Sequence, residues 1–349
     1  MEKHQRWTEE EHQELMSLMK EEPSLTYGEL AHRMTEKYNQ LFTMDAVRNR
    51  IRRTKKNKIG YADRKNIKEN IDDYIEHLIE AQEKLQEFDD RQTTVTIDID
   101  DDRPIGLAFH GDWHAGGLYT NHKQMIKDFE VMRDTDGLYN VAMGDYADNY
   151  TQNSHKGGIY DQIANPDKQK EMVRHLFKTY LGEDNLAVIK GNHDNWEYKE
   201  TGEDYIKYLA RIIESPYLWY GGEINLRLGN QVYKIHAHHT YQGTSALNTT
   251  NSQRRLFDVT HADVIALGHL HWNESHSKSS GGKDTVWMRT GTYKYTDDYS
   301  QWIGGFKGDH RVPMVILYPN EKKVLGFRDM YDGIKHLKIV RNEVTAGLK

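Results

Sequence analysis

The 349-residue chain contains no cysteine. That excludes disulfides and thiolate metal sites, and it fits a reducing cytoplasm, where the protein is expected. No apolar run reaches the length that spans a bilayer, so no membrane role is expected. The opening MEKHQRWTEEEH has no apolar stretch, so no signal peptide is expected. Positive charge is not in excess: 47 Lys and Arg against 54 Asp and Glu leave a net charge of -7. This argues against a chain that coats nucleic acid with its whole surface, but not against a local basic patch. No internal repeat is visible. What the chain does have is 19 histidines and enough length for two or more domains with a sizeable core. Any metal must be held by His, Asp, Glu or Asn.

Residues 1–60 read as three short helices. TEEE, from Thr8 to Glu11, is a capping-box pattern followed by Leu15, Leu18 and Met19 at helical spacing. Leu30, Ala31 and Met34 form a second amphipathic turn. A third helix, capped by Thr43 with Asp45 in its first turn, runs through AVRNRIRRTKKNK. Short helices with short connections suggest a helix-turn-helix class of module. Residues 61–92 read as one long linker helix. Ile71, Leu78 and Leu85 step by seven, and Ile67, Tyr74, Ala81 and Phe88 do the same on the adjacent row. Such a helix either packs on the next domain or pairs two chains through 66–90 as a homodimer.

From residue 93 to 349 the pattern becomes strand, polar loop, helix, as in an α/β domain. TVTIDI alternates like a half-exposed strand, and IGLAF reads as a buried one. LYNVA and LAVI end in polar loops as IGLAF does, and KQMIKDFEVMRD and MVRHLFKTYL are helical. SHSKSSGG reads as a flexible loop. After successive strands come GDWH, GDYAD and GNHDN, and later IHAHHTYQG and ALGHLHWN. Ligands of α/β sheets bind beyond the carboxyl ends of strands, where these loops lie. On extended backbone, Asp112 and His114 point to the same side, as a metal or acid–base pair requires, although a plain surface loop would read alike. Together the loops offer Asp112, His114, Asp145, Asn192, a histidine from the His236–His239 run, His269 and His271. This oxygen and imidazole set suits Mn, Fe or Zn, and a carboxylate shared by two ions would complete a two-metal site for phosphoester hydrolysis. His155, His175 and His276 read as solvated.

The motifs Asp112-Trp113-His114, Gly144-Asp145-Tyr146-Ala147-Asp148, Gly191-Asn192-His193-Asp194 and Gly268-His269-Leu270-His271 occur in that order. In this the chain resembles the calcineurin-like metallophosphoesterase superfamily over about Ile105 to Pro319. The segment WMRTGTYKYTDDYS looks like that of phage and bacterial members. The resemblance implies a two-sheet sandwich flanked by helices, preceded here by the small all-α domain and the linker helix. It implies two divalent metal ions, with Mn favoured. Asp112, His114 and His271 would hold one. Asn192, an isolated histidine and His269 would hold the other, and Asp145 would bridge both. His193 would protonate the leaving oxygen, oriented by Asp194, and Asp148 would support the ligands. The isolated histidine departs from the family pattern, since no glycine follows it in HAHHT; His239 fits best and His238 is the runner-up.

The segment RWTEEEHQELMSL, with Trp7 near its start, resembles the opening of Myb/SANT-like domains over residues 5 to 56, without their later tryptophans. Arg48, Arg50, Arg52, Arg53, Lys55 and Lys56 cluster on the third helix with no acid among them. Arginine reaches guanine edges and lysine mainly phosphates, so DNA is the expected partner. The combined reading is a metal-dependent phosphodiesterase, a nuclease tethered to DNA, in the cytoplasm, or the host's if phage-encoded. The alternatives are a phosphoesterase for a small phosphate ester or cyclic nucleotide, and a non-enzymatic DNA-binding regulator.

Overall fold

A computed structural model describes residues 7–58, 71–87, 91–154, 158–245, 248–280, 283–302, 304 and 308–347. The chain forms two compact units, Met1–Asp89 and Asp90–Lys349.

The first unit contains α1 (Glu9–Glu21), α2 (Tyr27–Tyr38), α3 (Met44–Lys58) and α4 (Ile71–Glu87). Thr8 accepts the Glu11 N–H while the Glu11 carboxylate accepts the Thr8 N–H, and Thr26 and Glu29 repeat this reciprocal cap on α2. Thr43 Oγ1 accepts the Ala46 N–H at 3.1 Å and starts α3. Leu15, Leu30, Met34, Phe42, Val47 and Ile51 meet in a small core, with the Trp7 ring 4.8 Å from that of Phe42. α4 leaves Ile71, Ile75, Leu78 and Leu85 exposed; Ile67 and Phe88 lie outside the described residues.

The second unit holds β1 (Thr94–Ile99), β2 (Ile105–His110), α5 (His122–Arg133), β3 (Leu138–Ala142), α6 (Pro166–Leu176), β4 (Asn185–Val188), α7 (Asp194–Thr201) and α8 (Tyr205–Ile212). It continues with β5 (Gly221–Leu228), β6 (Gln231–His238), α9 (Asn251–Thr260), β7 (Val264–Leu267), β8 (Glu274–Ser280) and β9 (Lys283–Arg289). α10 (Asp298–Trp302), β10 (Met314–Leu317), β11 (Val324–Phe327) and α11 (Met330–Thr345) complete it. Among the described residues these strands form two mixed sheets, β1-β5-β6-β7-β9-β8 and β11-β10-β2-β3-β4. The fold is thus the expected two-sheet sandwich flanked by helices.

Between the sheets, Leu107, Phe109, Val141, Ile224, Ile235, Val264 and Val286 are fully buried. β2 is buried at every position because the other face of its sheet is covered too, by Met125 and Phe129 of α5, Val173 of α6 and Leu337 of α11. β2, β3 and β4 run parallel, as do β6, β7 and β9, so each set delivers its carboxyl ends to one edge.

SHSKSSGG is not a free loop. Its residues up to Ser280 belong to β8, which pairs antiparallel with β9, while Gly281 and Gly282 lie outside the described residues. β8 is an edge strand exposed from His276 to Ser279, defined by its backbone pairing, and no apolar alternation marks it in the sequence. No helix among the described residues is long and apolar enough to cross a membrane.

Candidate metal centre

Trp113 anchors the first loop. Its buried ring packs on Phe129, Tyr146 and Phe177 with centroids 4.7–4.9 Å away, and its Nε1 donates to His110 Nδ1 at 3.1 Å. The residues on either side of it are not extended, contrary to expectation. Asp112 has φ 50° and His114 φ 49°, both left-handed, so two tight turns rather than strand alternation bring the pair together. Asp145 (φ 52°), His269 (φ 74°) and His271 (φ 61°) share that conformation.

Close backbone contact places the second and third loops. A Cβ on Gly191 would lie 2.0 Å from Asp145 Oδ1, and one on Gly144 would lie 2.5 Å from the Gly191 nitrogen. Only glycine fits where the GD and GN turns touch. Asp145 Oδ1 accepts the His193 N–H at 2.8 Å, and its Oδ2 lies 3.2 Å from His239 Nε2.

The structure brings all seven sequence-assigned ligands to one region. Ligand atoms of Asp112, His114 and His271 lie within 4.8 Å of one another, as do those of Asp145, His239 and His269. Asn192 Oδ1 is 3.0 Å from His239 Nε2, which adds it to the second group. His114, Asp145 and His193 form a third such group between them. His239 donates from Nδ1 to the Met143 carbonyl at 2.8 Å, which leaves Nε2 facing Asp145. His238 ends β6 and stacks parallel on His236 at 5.8 Å, away from this set.

The electrostatics favour cations. Burial opposes a charge on His239, but Asp145 and Asp112 outweigh it and hold its pKa up to about 10. Burial works against the Asp145 charge too, yet His239 and His193 keep its carboxyl well below the usual range. Burial, then neighbouring His193, takes His114 down to about 4, so His114 is neutral and able to ligate. The donor set fits a divalent ion on a further ground. Asp112 Oδ2 takes hydrogen bonds from His269 N–H and Thr290 Oγ1, but its buried Oδ1 takes none. Its nearest ionisable neighbour is His271 Nε2 at 3.4 Å, and a buried carboxylate oxygen without a hydrogen bond is costly unless a cation meets it.

His193 lies with its ring 4.6 Å from His114 and 4.0 Å from Trp196. Its orienting partner is not Asp194. His193 Nδ1 donates to the main-chain carbonyl of Asp148 at 2.6 Å, which leaves Nε2 for another partner. Asp194 instead accepts the N–H groups of Asp145, Tyr146 and Gly191, tying two ligand loops together. Burial and then the neighbouring Asp145 charge push its pKa up to about 7.

Two residues escaped the sequence reading. Lys294 is buried with Nζ 2.8 Å from Asp148 Oδ1 and 3.2 Å from Asp297 Oδ2. The same Asp148 oxygen lies 3.0 Å from His114 Nδ1, so Lys294, Asp148 and His114 form a chain that fixes which imidazole nitrogen faces the ligand group. Arg289, also buried, donates to the Gly268 carbonyl at 3.0 Å and steadies the GHLH turn. The available signal was a cation inside an aromatic or apolar run, TYKY and VWMR.

On α3, Arg48, Arg52 and Arg53 are exposed. Arg50 is withdrawn from that face: its Nε donates to His12 Nδ1 at 3.1 Å and its guanidinium sits 5.9 Å from the Trp7 ring centroid. The side chains of Lys55 and Lys56 lie outside the described residues, as does His155, and His175 and His276 are exposed.

No protein-family model and no curated protein matches the chain. Solved structures align over about two thirds of it. Vacuolar protein sorting 29 from Cryptosporidium parvum is 14% identical over 65% of this chain and 98% of that one, with a TM-score of 0.34. Vps29 complexed with zinc from Entamoeba histolytica gives 14%, 64%, 97% and 0.34. The calcineurin-like phosphoesterase YfkN from Bacillus subtilis gives 12%, 68%, 99% and 0.35.

Proposed function

We propose that the second unit is a metal-dependent phosphodiesterase acting as a nuclease, and that the first unit tethers it to DNA. One observation carries the catalytic half of this reading: two ligand groups converge around Asp145, with the spare nitrogen of His193 beside them. Asp112, His114 and His271 would hold one divalent ion; Asn192, His239 and His269 would hold a second, with Asp145 between them. Bound there, such ions supply positive charge to phosphate oxygens and make water a usable nucleophile near neutral pH.

The chain's own residues account for the rest. Asn192 contributes a neutral oxygen, so it adds no negative charge against an anionic substrate. The Asp148 carbonyl holds the Nδ1 proton of His193 and aims Nε2. In the imidazolium form that nitrogen carries the proton that His193 would give to the departing alkoxide. Asp148 and Lys294 keep His114 in one tautomer, and Asp194 keeps the GD and GN turns in register. The tether rests on exposed Arg48, Arg52 and Arg53. Holding DNA near the centre raises its effective concentration there. The same reading pairs two copies through the apolar row of α4, which sedimentation at several concentrations tests.

The main test is turnover of a chromogenic phosphodiester, a nucleotide monophosphate and linear DNA by the Mn-loaded protein, with metal content measured alongside. Asp145→Asn should lose most activity while staying folded. Near-wild-type turnover with two metals still bound would refute the assignment, and preference for the monophosphate would favour a small-ester enzyme. For the tether, Arg52→Ala with Arg53→Ala should weaken DNA binding and flatten its salt dependence, about 0.9 in log–log slope per lost phosphate contact. Small-diester turnover should be unchanged; unaltered affinity and slope would remove these arginines from the contact.

A further inference from the structure

Three loops beside the metal centre join into one surface. The segment after His114 is zipped on one side to residues 161–163: Leu118 N–H donates to the Asp161 carbonyl, and Ile163 N–H to that of Gly116 at 2.9 Å. On its other side Thr120 bridges to Lys294, and Tyr295 N–H donates to the Tyr119 carbonyl at 3.2 Å. This surface displays large apolar side chains to solvent: Tyr160 is 86% exposed, Ile163 62%, and Leu118 and Tyr295 49% each. Solvent-exposed aromatics gathered on neighbouring loops mark an interaction surface.

A cleft of about 490 Å³, lined by Ile159, Ile163, Pro166 and Tyr150, shares Ile163 with this surface, which forms a shelf. Tyr150 is also the link to the chemistry, since its ring stands 5.2 Å from that of His193. Among the described residues of these loops the basic side chain is Lys294, and it is buried against Asp148 and Asp297. Among the described residues the shelf therefore offers apolar contacts and no exposed cation for phosphate.

We propose that this shelf stacks the unpaired bases of single-stranded nucleic acid whose backbone phosphate enters the metal centre. The inference rests on the phosphodiesterase reading and names its substrate class. In a duplex the base faces are stacked and hidden; in a single strand each base presents a face, and stacking on aromatic side chains tolerates any sequence. A protein recruited on duplex by its first unit would then act where strands are separated or end.

The test uses the full chain, labelled oligothymidylate as probe, and Tyr160→Ala, Tyr295→Ala and Tyr160→Trp. In EDTA, where hydrolysis is off, each alanine variant should bind the oligomer at least about fivefold more weakly. The tryptophan variant should bind at least as well as wild type. With Mn, the alanine variants should raise KM for the oligomer and leave kcat for a methyl nitrophenyl diester unchanged. Equal oligomer binding by all variants would overturn the proposal. So would equal competition by covalently closed duplex, or a dimer that Tyr160→Ala dissolves. If no diester is cleaved at all, the phosphodiesterase reading fails, and the binding comparison in EDTA still decides the shelf separately.

Discussion

The five ligand residues held at positive φ allow a stability measurement that does not depend on catalysis. His271, at φ 61° and partly exposed, is the one to test. Replacing it by alanine or by glycine removes the same imidazole, so the lost contacts cancel between the two variants. What differs is the backbone. An L-residue in the left-handed region is strained by roughly 1–2 kcal/mol, which glycine escapes. Glycine in turn loses roughly 0.4–1 kcal/mol more through the freedom of the unfolded chain. The balance favours His271→Gly over His271→Ala by about 1 kcal/mol. His236, inside β6 and absent from the positive-φ set, provides the opposite case. There alanine should exceed glycine by about 0.5–1 kcal/mol. Urea unfolding in EDTA reads all four variants, since removing metal prevents a change in ligand binding from entering by mass action. If alanine equals or exceeds glycine at both positions, the turn at His271 is not left-handed, and the account of how the loops aim their ligands fails.

Three further outcomes are expected. His193→Ala should keep metal and lose at least about 10²-fold in rate on DNA, with a much smaller loss on a nitrophenyl ester, whose leaving group needs no proton; equal losses would assign His193 another task. Lys294→Met should weaken metal binding at least about tenfold by calorimetry, because Asp148 and through it His114 lose their fixed orientation; unchanged affinity would make Lys294 a packing residue. Burial takes His110 down to about 4 from 6.5, so on acidification the unfolded chain protonates first. The stability contribution present above pH 6.5 should therefore decline toward pH 4, by about 2 kcal/mol at pH 5, in wild type relative to His110→Gln.

The ligand motifs were legible because each is short, polar and follows an apolar strand, a local pattern that needs no knowledge of distant partners. The choice of His239 over His238 followed from motif spacing, and β6 shows why it matters: the strand ends between the two, and they diverge. What the sequence could not convey depended on contacts far along the chain. Lys294 meets Asp148 across 146 residues, and Asp194 turns to backbone groups of the GD loop rather than to its neighbour His193. The pairing of Asp112 and His114 was foreseen for the wrong reason, since left-handed turns accomplish what strand alternation was expected to do. Arg50 is as basic as its neighbours, but helical phase places it against Trp7 and His12. β8 was missed because an exposed edge needs no apolar residues.

Each ligand group draws on both sheets. Asp112, His114 and Asp145 follow β2 and β3, while His239, His269 and His271 follow β6 and β7. An ion held by either group is thus a cross-link between two layers that otherwise adhere through side-chain packing and a few hydrogen bonds, such as those of the Tyr233 hydroxyl. Sliding one sheet over the other would deform both coordination shells together. Chelation and sandwich geometry are then mutually dependent: core substitutions such as Ile235→Val, far from any ligand, become ways to tune metal affinity, and metal concentration becomes a way to tighten the core.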